Sequence, residues 1–201
     1  MSQVHHFDQS LAMSHSYEDA PWWLDVYRKA FPTLVAAVSV RRDGWAQRGG
    51  IDRMLTLQCG RTIAIDEKVR EKDYGDILLE RWSDHARREP GWIQKPLACE
   101  FIAYAVIPTQ RCWLLPTLSL QRAWRLFGRE WDKKYPTCRS ANEYQGRKWT
   151  TVSIAIPTSI LFGAITDAML VEWSSATSAS ADSPEPPSYD DVGPLFSGRL
   201  L

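Results

Sequence analysis

Residues 49–70 read GGIDRMLTLQCGRTIAIDEKVR, and this stretch carries the most informative residues of the chain. Apolar and polar residues alternate in two segments, 51–57 and 62–69, and the pair Cys59-Gly60 lies between them. Alternation on both sides of a short break that contains glycine is typical of a β-hairpin. We therefore expect two neighbouring antiparallel strands here.

The second of these strands carries charged residues at positions where an apolar core strand would not. Because side chains alternate between the two faces of a strand, Asp66 and Lys68 share one face and Glu67 lies on the other. Buried charges need partners, which predicts that something uses these residues. With Asp52 at the start of the first strand, the hairpin offers two carboxylates. Carboxylate oxygens are ligands that Mg²⁺ takes, and the Glu67 carbonyl could add a third oxygen.

The length of the hairpin loop decides which acids share a face. Directly opposed residues of a hairpin lie on the same face. A two-residue loop places Asp52 opposite Glu67, so that Glu67 becomes the acid on the metal side and Lys68 drops out. A three-residue loop or a bulge places Asp52 on the face of Asp66 and Lys68. The metal hypothesis therefore requires the odd loop.

The spacing of these residues resembles a known nuclease motif. Asp52, thirteen intervening residues, Asp66, one further residue and Lys68 are similar to the motif of the PD-(D/E)XK nuclease superfamily, which has the restriction-endonuclease-like fold. Ile51 stands where the motif has proline. The surrounding sequence further resembles small phage-type or prophage-type members. The alternative without a function is a solvent-exposed Asp66–Lys68 ion pair on an edge strand, which would contribute about 0–1 kcal/mol to stability.

The resemblance implies a metal-dependent nuclease that hydrolyses DNA phosphodiester bonds. Mg²⁺, or alternatively Mn²⁺, would be held by Asp52, Asp66 and Glu67, and Lys68 would assist the attacking water. Glu18 in the first helix would be a further catalytic acid, although an acid in a first helical turn is also favoured by the helix dipole. Asp76 and Glu80 share a predicted strand face, where a solvated edge is the more ordinary interpretation. The alternative function is a catalytically inactive, nuclease-like binding module that acts on DNA or on a protein partner, such as a phage-encoded antagonist.

The patterns around the hairpin predict a mixed α/β domain over residues 16–173. In order, they indicate a helix at 16–31, a strand or helix extension at 34–40, the hairpin, strands at 76–82, 101–107 and 111–115, a helix at 118–131, a strand at 150–156 and a helix at 157–173. This order is similar to the α-β-β-β-α-β restriction-endonuclease-like core with an extra hairpin, a mixed central sheet flanked by helices. Residues 1–15 are expected to be flexible, and the acidic, Pro- and Ser-rich tail 174–201 to be disordered.

A basic segment follows the second predicted hairpin. Between residues 111 and 148 there are nine Lys or Arg residues and three Asp or Glu residues, interleaved with aromatic residues. Cations bind phosphates and exposed aromatic rings stack on bases, although an ordinary amphipathic helix with tryptophans in the core fits almost as well. The predicted nucleic-acid contacts are Arg122, Arg125, Arg129, Lys133, Lys134, Arg147 and Lys148.

The composition argues against several classes of protein. The 201 residues include 24 Lys or Arg and 24 Asp or Glu. The chain therefore has no net charge, which argues against a histone-like protein. No apolar stretch approaches the roughly 20 residues of a membrane span. Four scattered cysteines without a CxxC pair argue against a zinc cluster and favour the cytoplasm.

We expect DNA as partner, with a protein partner at the tail or a homo-oligomer as further possibilities. Ten tryptophans suit a core or stacking role.

Overall fold

A computed structural model describes residues 17, 19–144, 146–165 and 169–174. The predicted N-terminal segment 1–15, nearly all of the predicted tail and Glu18 lie outside these residues. The elements are α1 (Trp22–Ala30), β1 (Leu34–Ser39), α2 (Gly44–Arg48), β2 (Arg53–Leu57), β3 (Thr62–Arg70), β4 (Asp76–Asp84), β5 (Glu89–Pro90), β6 (Phe101–Val106), a 3-10 turn (Ile107–Thr109), β7 (Arg111–Pro116), α3 (Thr117–Lys134), β8 (Thr137–Tyr144), β9 (Arg147–Pro157), α4 (Thr158–Ala164) and β10 (Met169–Glu172).

The strands of the described residues form two sheets. The first has the order β1-β2-β3-β6-β7-β10, and the second has the order β5-β4-β9-β8. Strands β3 and β6 are parallel, whereas their neighbours in the first sheet pair antiparallel. The predicted mixed sheet and the α/β class are confirmed. The sequence did not indicate that the strands at 76–82 and 150–156 would leave this sheet and pair with each other in a second one.

Helix α1 covers one face of the first sheet. It begins at Trp22, directly after Pro21 and later than the predicted start at residue 16, and it ends at Ala30, two residues before Pro32, as that proline predicts. Its buried side chains Trp23 and Tyr27 pack with core residues of β2 and β3 in one hydrophobic cluster. This face of the sheet is therefore closed to solvent by the helix.

The other face of the first sheet packs against the second sheet and α3. Ala64 on β3 and Ile102 on β6 lie in the same cluster as Ile77 and Ile154 of the second sheet and Leu120 of α3. Both faces of β3 are thus covered, although the sequence indicated a core on the Glu67 side only. Strand β3 therefore lies between α1 on one face and the second sheet with α3 on the other.

The C-terminal part of the domain differs from the sequence prediction. The helix expected over 157–173 ends at Ala164, and β10 then pairs antiparallel with β7. Strand β8 was not predicted, because its sequence TCRSANEY is polar and lies at a sheet edge. Arg147 and Lys148, two of the predicted nucleic-acid contacts, open strand β9.

Candidate functional site

The β2–β3 hairpin has the odd loop that the metal hypothesis requires. Arg53 pairs with Ile65 and Thr56 with Thr62, and the Leu57 N–H donates to the Arg61 carbonyl over 2.8 Å. Residues 58–60 therefore form a three-residue turn, which ends on a glycine at a φ of +83°. Extended by one residue, this register places the residue before Arg53, an aspartate, on the face of Asp66.

Asp52, Asp66 and Lys68 meet on that face. The Lys68 Nζ donates to Asp66 Oδ1 over 2.6 Å, and Asp52 Oδ2 accepts the Glu67 backbone N–H over 2.7 Å. Asp66 is 4% exposed on a central strand, so the alternative of a solvent-exposed pair on an edge strand is wrong. The three residues predicted to form the site are brought together.

The charges of these groups influence each other strongly. Burial raises the pKa of Asp66 to about 6; the Lys68 ammonium opposes this rise, and the Asp52 carboxylate adds to it. For Lys68, burial alone would lower the pKa, but Asp66, Asp52 and Glu80 raise it above its ordinary value. A protonated lysine therefore lies beside an aspartate that titrates near neutral pH.

Glu67 points to the opposite face of β3 and has fixed partners there. Its Oε1 accepts hydrogen bonds from the Tyr27 hydroxyl and from Arg53 Nε, each over 2.6 Å. Its Oε2 accepts from Arg41 Nη2 over 2.8 Å, and the side chain is fully buried. The alternative in which the Glu67 side chain becomes the acid on the metal side is therefore wrong. The role of its carbonyl as a ligand stays a prediction.

Asp52 and Asp66, which we call the acid pair, lie at the side of a cleft of about 830 Å³, which we call the acid cleft. One wall is α2 with the turn that follows it, and the other is the segment 91–98, which is tied to the first by the Ala98 N–H on the Gly49 carbonyl at 2.8 Å. The walls add several polar or aromatic side chains to the acid pair and Lys68, namely Arg41, Gln47, Arg48, Trp92 and Lys95. Carboxylates at one side and cations along the walls suit a metal ion together with an anionic substrate.

Three of the cations in the cleft were not found from the sequence. Arg41, Arg48 and Lys95 lie in or next to loops and a five-residue helix, and no motif connects them. Arg41 also contacts Asp52, with Nη1 3.3 Å from Oδ1, and so links the acid pair to Glu67. Their only signal in the sequence is local positive charge, which does not predict a position in space.

The structure separates the two acids that share a face of β4. Asp76 forms an ion pair with Arg70. Glu80 is half-buried, accepts the Trp92 N–H over 3.3 Å and acts electrostatically on Lys68. Burial raises the pKa of Glu80, which the Lys68 charge opposes. Glu80 is therefore a third carboxylate near the site, held there because β4 belongs to the second sheet.

The predicted nucleic-acid contacts do not form one surface. Arg125, Arg129 and Lys133 line a second cavity between α3 and β4, whereas Arg122 is exposed on the same helix and is not among the residues lining that cavity. The remaining three have local partners: Lys134 lies over the Tyr135 ring, Arg147 donates to Asp84 over 3.1 Å, and Lys148 is 3.4 Å from Glu143. Of the described residues that line the acid cleft, none belongs to this predicted set.

The donor set suits a magnesium ion better than a metal that needs a complete cage of protein ligands. Within the described ranges, no group of three or more His, Cys, Asp or Glu side chains could hold a metal ion by itself. Mg²⁺ commonly binds through one or two carboxylates, with waters and substrate phosphate oxygens as the other ligands. Asp52 and Asp66 provide those two carboxylates at the side of an open cleft.

Comparisons with known proteins found no matching family model, curated protein or solved structure. In the part of the chain that the structure describes, no helix is long and apolar enough to cross a membrane. The functional interpretation therefore depends on the geometry of the site itself.

Proposed function

We propose that this chain is a metal-dependent nuclease of the PD-(D/E)XK type that hydrolyses DNA phosphodiester bonds. The observation that carries the proposal is the register of β2 with β3, which puts Asp52 and Asp66 on one face beside Lys68. Three chemical groups that the reaction needs thus come from adjacent strands, at the side of a cleft with cationic walls.

Each group has a defined role in this proposal. Asp52 and Asp66 hold Mg²⁺, or Mn²⁺, with the Glu67 carbonyl as a further ligand. When bound, such an ion lowers the pKa of a coordinated water and stabilises negative charge on the phosphate. Lys68 stays protonated and donates to the attacking water or to the developing negative charge. Arg48 and Lys95 on the cleft walls bind the phosphates on either side of the reacting one.

The test is cleavage of several DNA forms with and without Mg²⁺ or Mn²⁺. We expect Asp66→Ala and Lys68→Ala to reduce cleavage by at least about a hundredfold, because Asp66 would hold the metal ion and Lys68 would stabilise the charge that develops at the reacting phosphate. Asp76→Ala and Lys72→Ala are matched controls, since Asp76 pairs with Arg70 and Lys72 is exposed, both outside the cleft lining. Cleavage at the wild-type rate by either Asp66→Ala or Lys68→Ala would contradict the proposal.

A second candidate is an inactive, nuclease-like module that binds DNA or a protein. One observation favours it: Arg41 lies 3.3 Å from Asp52 and Lys68 lies 2.6 Å from Asp66, so protein cations already neutralise both carboxylates. This candidate predicts that the wild-type chain binds DNA in EDTA but cuts none of the DNA forms with either metal. If DNA is not bound either, loss of a protein partner on removal of residues 174–201 would favour the protein-binding form.

A further inference from the structure

A second cavity, of about 520 Å³, lies between α3 and the β4–β5 region. We call it the tryptophan groove. Its lining residues from α3 include Trp124, Arg125, Arg129 and Lys133. Arg81, Trp82 and Gln94 line it from the other side. The groove has four cations and a single carboxylate, Asp132, which pairs with Arg81. This charge favours an anionic occupant.

An indole lies across the middle of the helix that forms one wall. Gly128 is in the interior of the 18-residue helix α3, where glycine is less favourable than alanine. A Cβ at this position would come within 2.9 Å of the Trp124 ring, so the glycine leaves room for the indole. Trp124 is partly buried against the core and lines the groove. The helix thus presents an aromatic surface at this point.

Trp82, on the other side of the groove, is already covered by cations. The guanidinium groups of Arg81 and Arg88 lie over its ring, 5.3 Å and 5.5 Å from the centroid. Trp124 is the second aromatic side chain that lines the groove, and for this reason we assign the planar ligand to it. A base stacked on it would have the side chains of Arg125 and Arg129 as neighbours for its phosphates.

The tryptophan groove and the acid cleft are separated by one short segment of chain. Trp92 and Lys95 line the acid cleft, whereas Ile93 and Gln94, between them in sequence, line the groove. The Gln121 side chain of α3 donates to the Lys95 carbonyl over 2.7 Å and fixes this segment against the helix. A nucleic-acid strand that leaves the cleft over this segment enters the groove directly.

We infer that the tryptophan groove binds an unpaired nucleotide of single-stranded DNA. The base stacks on Trp124, and the backbone phosphates contact Arg125, Arg129 and Lys133. Stacking on an aromatic side chain needs an exposed base face, which a paired base within a duplex does not offer. The inference deepens the proposed function and rests on it for the role of the strand: it makes single-stranded or overhanging DNA the preferred substrate.

The experiment measures DNA binding in EDTA, where no metal-dependent cleavage takes place. Fluorescence anisotropy compares a labelled oligothymidylate with a blunt hairpin duplex of equal phosphate number, at one stated salt concentration. We expect tighter binding of the single strand. The double variant Arg125→Ala/Arg129→Ala should lower that affinity about tenfold or more, whereas Arg28→Ala, at an exposed arginine of α1 that lines neither cavity, should change it less than about twofold.

Stacking is tested separately from charge. Trp124→Leu should lower single-strand affinity at least about fivefold, and Trp124→Phe should restore most of it. Each variant is also melted by circular dichroism, and only those that keep the wild-type melting temperature are compared. If Trp124→Leu does not fold, Gly128→Ala takes its place, because the added Cβ displaces the indole without removing it.

The outcomes separate this inference from the proposed function. Equal binding of duplex and single strand, or an equal loss with Arg28→Ala, overturns the inference, while cleavage that depends on Asp66 still supports the nuclease. Single-strand binding that depends on Trp124 supports the groove even if the wild-type chain cuts no DNA, and that second result overturns the nuclease.

Discussion

The two faces of strand β3 place neighbouring acids in opposite situations. Glu67 faces α1, where Tyr27, Arg41 and Arg53 occupy its carboxylate at 2.6–2.8 Å. Asp66 faces the second sheet, where a lysine is its hydrogen-bonding partner and a second carboxylate lies nearby. Both side chains are buried. Fixed partners thus surround one acid, whereas the other opens on a cleft.

This difference shows how burial alone fails to distinguish a structural acid from a functional one. A buried carboxylate with hydrogen-bonded cations around it is costly to remove, because its partners would be left without a counter-charge. Burial, to which the neighbouring Asp52 carboxylate adds, raises the pKa of Asp66 to about 6. Such a group gains from a cation supplied by a ligand, which is the usual condition of a functional site.

The largest effect on stability is expected on the face of β3 that carries Glu67. Glu67→Gln removes the charge that compensates Arg53 and Arg41 in the interior, and the free energy of unfolding should fall by about 3–5 kcal/mol. Urea denaturation measures the change. Tyr27→Phe is the milder companion, since it removes one hydrogen bond and should cost about 1–2 kcal/mol. A Glu67→Gln protein as stable as the wild type would show that the two faces do not differ as described.

On the face of β3 that carries Asp66, the free energy of unfolding should fall as the pH rises. An aspartate in an ordinary ion pair has the opposite effect. Since the pKa of Asp66 is higher in the folded chain than in the unfolded one, protonation favours folding. As the pH rises from about 3 to about 7, the wild type should lose about 3 kcal/mol of unfolding free energy relative to Asp66→Asn, which cannot ionise in this range. Denaturation of both proteins in EDTA across this range checks the slope. A difference independent of pH would contradict it.

A smaller effect follows from adding the metal. Binding to the folded state alone raises stability by RT ln(1 + [L]/Kd), about 2 kcal/mol at several tens of times the Kd. At pH 7.5 we expect Mg²⁺ to raise the melting temperature of the wild type and of Asp76→Ala, but not that of Asp66→Asn. An equal rise in all three proteins would indicate a nonspecific salt effect.

The smallest effect on stability is expected in the turn between β2 and β3. Gly60 adopts a φ of +83°, which other residues adopt at a cost, and a Cβ there would meet open space. Gly60→Ala should therefore lower the unfolding free energy by about 1 kcal/mol without altering cleavage. A much larger loss of cleavage than of stability would mean that the turn controls the register of the acid pair more directly.

Local signals in the sequence predicted the parts of the molecule that are fixed locally. Pro32 predicts the end of α1, and the alternation on both sides of Gly60 predicts the hairpin. The same alternation, with an odd loop, predicts that Asp66 and Lys68 share a face with an aspartate. These are backbone effects that act over a few residues, so the sequence displays them.

The rest depended on contacts between distant segments. Strand β10 carries Leu170 and Val171, whose spacing from Leu161 also fits a helix, and its pairing with β7 decides the matter. The second sheet exists because β4 pairs with β9, which no local pattern records. The same sheet brings Glu80 towards Lys68, so this part of the site could not be found from the sequence.

The parallel pairing of β3 with β6 has a consequence for the order of folding. The β2–β3 hairpin closes through a three-residue turn, a step that takes about 1–10 μs in isolated hairpins. The other edge of β3 pairs with β6, across an intervening segment that contains β4 and β5 of the other sheet. Contacts between segments so far apart in sequence form slowly. We therefore expect the strand that carries Asp66 and Lys68 to gain its first neighbour early in folding and its second neighbour late.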